Sequence, residues 1–135
     1  FKPPPNILSM SRIVLSEEAG ADDLAPLALA INEIVRLPVT MRSQKSTGVR
    51  VEKGRVIDRS YSGPVLEEVI RTGKSIRTTP NSGAYRGIPV SVAPIVIEGR
   101  AALALGIVDV IGTIDIPEVF GAYGDVLRQV SGEKR

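Results

Sequence analysis

The sequence predicts an α+β domain, a mostly antiparallel β-sheet with helices packed on its faces. Three observations lead there. Two long apolar runs, residues 88–97 and 101–111, flank the turn pair Glu98-Gly99, and β-branched side chains dominate the first run, which is the pattern of a long hairpin. Residues 22–37 instead carry apolar side chains at helical spacing, with Leu24, Leu27, Ala28, Ile31 and Val35 at i, i+3, i+4, i+7 and i+11. Between these stretches, short β-branched segments alternate with glycine-bearing turns, and such short connections join antiparallel strands.

Taken in order, Pro3-Pro4-Pro5 predicts an extended, polyproline-like lead-in. Residues 7–15 are apolar enough for a strand or a short helix, and their periodicity does not separate the two. Residues 1–15 are read as an N-terminal extension, and 16–21 as a polar break. Asp22 or Asp23 can cap the first helix, with Pro26 tolerated in its first turn. Leu29, Ala30 and Ile34 widen the apolar stripe nearly all round. This helix is therefore expected to be covered on more than one side, in part by a second copy in a two-fold homodimer. Pro38 ends it.

Residues 39–43 read as a short strand, 44–48 as a turn, and 49–52 with 55–58 as a hairpin about Lys53-Gly54. Ser62-Gly63-Pro64 then opens a helix with Pro at its first position, Glu67 and Glu68 in its early turns and Gly73 as its stop. Residues 75–79 are a further strand and 80–87 a loop before the long hairpin. Along the second strand of that hairpin, alternation sets Leu103, Leu105 and Ile107 on one face and Ala102, Ala104 and Gly106 on the other. The large face is expected to be packed and the small face closely approached, making residues 88–110 the most buried part of the chain. Asp115-Ile116-Pro117 starts a last helix, predicted to pack on the sheet through Phe120 and Leu127. Its stripe is Val119, Phe120, Tyr123, Val126, Leu127 and Val130. One domain over 16–131 with a charged tail at 132–135 accounts for the length.

Of the 135 residues, 43% are hydrophobic but only 4% aromatic, so the core is aliphatic. Cysteine and histidine are both absent from this sequence. That removes disulfides, thiol nucleophiles, thiolate or imidazole metal ligands and the commonest general base. No catalytic residue, cofactor or metal site is assigned, and an enzyme using Asp, Arg and Tyr ranks last among the functions considered. The net charge of +2 is well short of a dedicated nucleic-acid binder. No apolar run reaches the roughly 18 residues of a membrane span, and no signal-peptide pattern is present, so a cytoplasmic location is expected. The chain opens on Phe1 rather than Met, as a piece of a longer protein would.

Four groups of residues could carry function. The loop 78–87 gathers Thr78, Asn81, Tyr85 and Arg86 beside flexible glycines. Arg86 could fork onto a carboxylate or phosphate while Tyr85 covers an apolar part, giving a pocket between the loop and the small face of the hairpin. The alternative is a plain strand connection. Tyr61 beside the helix start at Ser62-Gly63-Pro64 could help seat an anion, or the glycine-proline pair simply begins a helix. Asp109, at the end of an apolar row, could bind a ligand hydroxyl or amine, or pair with Asp115 at a metal, though Asp109 as a strand-end cap and Asp115 as a helix cap are the favoured readings. Arg42, Lys45, Arg50, Lys53 and Arg55 could form an anion or nucleic-acid patch. Without interleaved aromatics they read better as a solvated strand face.

The segment from Pro94-Ile95 through Gly99 to Gly106-Ile107-Val108-Asp109 resembles the closing strands of PAS/GAF-like (profilin-like) and cache-like sensor domains. The strings DLAPLALAI (23–31), LPVTMRS (37–43), GVRVEKGRVID (48–58), YSGPVLEEV (61–69) and GIPVSVAPI (87–95) are similar to an uncharacterised archaeal family found in methanogens. That second resemblance implies no activity. The expected function is a sensory or regulatory domain that binds a small anionic or polar ligand, as a homodimer and without membrane or nucleic-acid contact. The alternative is a ligand-free interaction module, whose sign would be a solid core and an exposed apolar groove.

Overall fold

Gly20, not an aspartate, caps the first helix in the computed structural model, which describes residues 13–109. Helix α1 (Ala21–Val35) follows an extended Gly20, whose N–H donates to Asp23 Oδ2 at 3.0 Å. Asp23 thus secures the helix start from inside the first turn rather than from the cap position. The helix ends at Arg36 in the left-handed region, with its N–H bonded to the Asn32 carbonyl at 2.8 Å.

Six strands follow: β1 (Val39–Ser43), β2 (Gly48–Glu52), β3 (Arg55–Tyr61), β4 (Ile76–Thr78), β5 (Val90–Ile97) and β6 (Arg100–Val108). They form one sheet in the order β3-β2-β1-β6-β5-β4, and every neighbouring pair is antiparallel. Both hairpin turns, Lys53-Gly54 and Glu98-Gly99, hold positive φ at both residues, the conformation whose twist matches the flanking strands. Helix α2 (Pro64–Thr72) begins behind Gly63 with Pro64 in its first turn and stops at Gly73 at φ 72°, as its sequence signals predict.

Register sorts the side chains between the two faces. Val39 pairs with Ile107 and Met41 with Leu105, pointing toward α1; Thr40 pairs with Gly106 and Arg42 with Ala104, pointing toward α2. Helix α1 lies over β1, β2 and β3, where Leu24, Ala25 and Ala28 meet Val39, Met41, Val49, Val51 and Leu103. Helix α2 covers β5 and β6 on the opposite face, where Leu66 and Val69 pack with Tyr61, Tyr85, Val90, Val92, Ala104 and Val108.

Two expectations are corrected here. The deepest part is not the long hairpin but the β1–β2 pair, since Val39, Met41, Val49 and Val51 have no exposed surface. On β6 the small face is the better covered one: Ala104 and Gly106 are buried while Leu105 and Ile107 are only half-buried. The reason is where the helices sit. α1 spends its inward stripe on the three strands to one side of β6, and the small side chains let α2 approach the other face. Ala102 joins the core on the α1 side instead of leaving room beside α2. Ile34, on the side of α1 expected to meet a second copy, is 79% exposed. The readings for residues 1–12, the helix at 117–130 and the tail lie outside the described residues.

Sequence reasoning overlooks Asn32, which points into the core from α1. Its Nδ2 donates to the Leu37 carbonyl and its Oδ1 accepts from the Gly54 N–H, both at 2.8 Å. One amide thus fastens the exit of α1 to the β2–β3 turn. Asn32→Ala strands both backbone partners in a part-buried site and is expected to cost about 1–3 kcal/mol, measured by urea denaturation.

Candidate functional site

Above the small face of β6, α2 and the loop at 79–89 close over a cavity of about 30 Å³. Thr40, Tyr61, Leu66, Tyr85, Val92 and Gly106 are among the residues that line it. Gly106 shapes its floor. A Cβ there would lie 2.9 Å from Val92 Cγ2 and 3.0 Å from Thr40 Oγ1, so only glycine lets these two side chains lean in from β5 and β1. The volume admits about two water molecules and is far below the several hundred Å³ of a metabolite pocket.

The loop that roofs it is held by its own backbone, with Gly87 N–H bonded to the Pro80 carbonyl at 2.8 Å and Ile88 N–H to the Tyr85 carbonyl at 2.9 Å. Tyr85 turns inward and is buried. Its hydroxyl donates to Glu52 Oε2 at 2.7 Å and accepts from Arg50 Nε at 3.1 Å, while the guanidinium sits 5.1 Å from the ring centroid. Arg50 also pairs with Glu52 at 3.1 Å. Tyr85 therefore latches the loop to β2. Alternation along β2 could say that Arg50 and Glu52 share a face, but not that a residue 33 positions beyond Glu52 reaches back to them.

Two other hydroxyls face the same space. Thr40 and Tyr61 are each 7% exposed, and among the described residues neither hydroxyl has a hydrogen-bond partner. No sealed side-chain polar atom among the described residues lacks a partner, so these two hydroxyls keep accessible surface. Thr40 carries no sequence signal beyond alternating with the inward Val39 and Met41.

Burial pushes both phenols up from their ordinary value; the hydrogen bond to Glu52 pushes Tyr85 further, and Asp58 adds to the rise at Tyr61. Both stay neutral in the fold at a pH where the unfolded chain ionises. Their contribution is whole below about pH 10 and is lost as pH rises through the raised folded-state values. Stability is therefore expected to fall as pH rises above about 10 in denaturant titrations, and more shallowly in Tyr85→Phe than in the unmodified chain.

Of the residues singled out from sequence, the structure brings Tyr61 and Tyr85 together at the cavity. Thr78, Asn81 and Arg86 are exposed and do not line it. Asp109 is buried elsewhere, accepting from Ser91 Oγ at 2.9 Å and pairing with Arg77 Nε at 2.9 Å, where it ties the ends of β4, β5 and β6. Asp115 lies outside the described residues, among which no cluster of three or more acidic side chains could hold a metal. At the start of α2, Ser62 Oγ donates to Glu67 Oε2 at 2.6 Å and accepts from Arg42 Nη1 at 2.8 Å, so a carboxylate of the chain occupies that end. The basic residues are dispersed: Arg42 also donates to the carbonyls of Ser43 and Gln44, and Lys45 pairs with Glu17 at 3.2 Å. Among the described residues no helix is long and apolar enough to cross a membrane.

Comparison with known proteins adds the lineage. Residues 31–111 match the model of a family described as uncharacterized proteins conserved in archaea (DUF2111). An uncharacterized protein of Methanocaldococcus jannaschii is 46% identical over 99 residues, covering 73% of this chain and 76% of that protein. No solved structure matches. The chain belongs to this archaeal family.

Proposed function

We propose that this archaeal family member is a regulatory domain that binds a small, uncharged polar ligand in the space between α2, β5–β6 and the loop at 79–89. The observation that carries the reading is the pair of hydroxyls on two largely buried residues, Thr40 and Tyr61, which line one cavity, keep accessible surface and have no partner among the described residues. Two such hydroxyls at a space beneath a latched loop suit a ligand with hydroxyl or amide groups. No charged side chain lines the cavity, and Arg86 stands outside it, which favours a neutral ligand over an anion. The loop must yield for anything larger than two waters to enter. Its hold on the sheet is the Tyr85 hydroxyl and the bond from the Asp109 N–H to the Pro89 carbonyl, with Gly83 and Gly87 at positive φ as points of movement. The long closing hairpin, with Pro94-Ile95 on β5 and Gly106-Ile107-Val108 on β6, supports a PAS/GAF-like architecture for such a sensor.

A thermal-shift screen of polyols, amides and nucleosides alongside carboxylates and phosphates tests this. At a hundredfold excess over its dissociation constant a ligand adds about 2.7 kcal/mol. At least one neutral compound is expected to stabilise the chain. Tyr61→Phe should weaken that compound about tenfold, as loss of one hydrogen bond does, and Arg86→Ala should leave it unchanged. Stabilisation only by anions, abolished in Arg86→Ala, would move the site to the outside of the loop. No stabilisation by any class would give first place to the interaction module, which the open apolar groove beside α1 favours.

A further inference from the structure

A second space lies where the end of α1 meets the β2–β3 turn. It is an open groove of about 570 Å³, lined by Glu33, Arg36, Glu52 and Lys53 together with Leu37 and Pro38. That volume falls within the range of small-molecule sites, which the cavity beneath the loop does not reach. The base of the groove is fixed: Asn32, 4% exposed, bonds the Leu37 carbonyl and the Gly54 N–H, both at 2.8 Å. Arg36 and Lys53 hold φ at 60° and 52°, a region that residues other than Gly, Asn and Asp seldom adopt. Glycine would suit both places, one the end of a helix and the other the first residue of a tight hairpin turn. A cation stands at each instead, and the two line one groove.

We propose that this groove binds a small zwitterion, a molecule carrying an ammonium and a carboxylate group close together, as an amino acid does. The partners of its charged side chains select this class. The bonds to the Glu52 carboxylate, from Arg50 Nε, Arg50 Nη2 and the Tyr85 hydroxyl, all fall on Oε2. Glu52 Oε1 has no partner among the described residues and, since no sealed polar atom there lacks one, keeps accessible surface. Arg36 spends only its Nε, on the Glu33 carbonyl at 3.3 Å. Among the described residues Glu33, Arg36 and Lys53 form no salt bridge, so both signs of charge stand on one groove without pairing each other. An anion alone would meet the two carboxylates, and a cation alone the arginine and the lysine. A zwitterion suits both. Its ammonium donates to Glu52 Oε1 and Glu33, its carboxylate accepts from Arg36 and Lys53, and Leu37 and Pro38 offer apolar surface to the rest of the molecule. The groove includes neither the Thr40 nor the Tyr61 hydroxyl, so its ligand is independent of the one proposed beneath the loop.

Titration of the full, isotopically labelled chain with the common α-amino acids, each up to about 10 mM, tests this through the amide resonances of Arg36, Lys53 and Gly54. At least one amino acid is expected to give saturable shifts at these positions. Its methyl ester keeps only the ammonium and its N-acetyl form only the carboxylate. Each should bind about tenfold more weakly, as loss of one charge-assisted partner does. Arg36→Gly and Lys53→Gly suit a positive φ, so each should keep its stability in urea while binding the amino acid about tenfold more weakly. Tyr61→Phe should leave that binding unchanged. No saturable shift with any amino acid would overturn the proposal, as would equal binding of the ester or the N-acetyl form. Binding that survives both glycine substitutions, or is lost in Tyr61→Phe, would overturn it too. The ligand reading stands after each of these results, because neutral compounds at Tyr61 are its own test.

Discussion

Gly48→Ala is expected to be the most damaging small substitution in the described chain, removing about 3 kcal/mol or more of stability. Gly48 opens β2, buried where its pairing with Tyr61 of β3 slips register. A Cβ at this position would fall 1.7 Å from the Met41 carbonyl oxygen and 2.7 Å from Arg42 Cα. Both are backbone atoms of β1 and cannot swing aside as a side chain would, so one strand must leave its place. The positions where glycine is needed only for positive φ, such as Gly54 and Gly73, have nothing within 4 Å of where a Cβ would stand and should cost less. Equilibrium unfolding in urea checks this, and a loss below about half a kcal/mol would place the β1–β2 contact wrongly.

Met41→Ala should cost about 2–5 kcal/mol, the range for emptying a fully buried site. Met41 has no exposed surface and sits on β1, between β2 and β6, beneath α1. Leu105, its partner across the β1–β6 ladder, provides the comparison. It points the same way at the margin of the core cluster beneath α1 and is only half-buried. Leu105→Ala should therefore cost less, about 1 kcal/mol from half the apolar area. Measured together, the two substitutions map how far across the sheet the covering extends.

These contrasts show what is legible in the sequence. Turn chemistry is legible because it is local: Lys53-Gly54, Glu98-Gly99, Gly63-Pro64 and Gly73 act through their own φ angles and caps, and each stands where its pattern puts it. Alternation on β6 correctly separates Leu103, Leu105 and Ile107 from Ala104 and Gly106. It does not say which face each helix covers, because that depends on strand order, and α1 is centred on strands to one side of β6. The same limit applies to the candidate site. Tyr61 and Tyr85 stand out as aromatics beside glycines, but the Arg50–Glu52–Tyr85 latch joins residues from separate hairpins and leaves no trace in either segment. Arg86 draws notice for its charge, and in the fold that charge faces solvent while its neighbour turns inward. Asn32 escapes notice because a polar residue on a helix ordinarily faces water; two backbone partners hold it in the core instead.

The most direct test of the ligand reading is a titration of the isotopically labelled chain with the strongest neutral stabiliser, followed through its amide resonances. The account predicts that the largest shifts cluster at Thr40, Tyr61, Tyr85 and Gly106, with the loop at 79–89 broadened as it opens and closes. Shifts confined to Asn81 and Arg86, or to Leu105 and Ile107 on the opposite face, would contradict it.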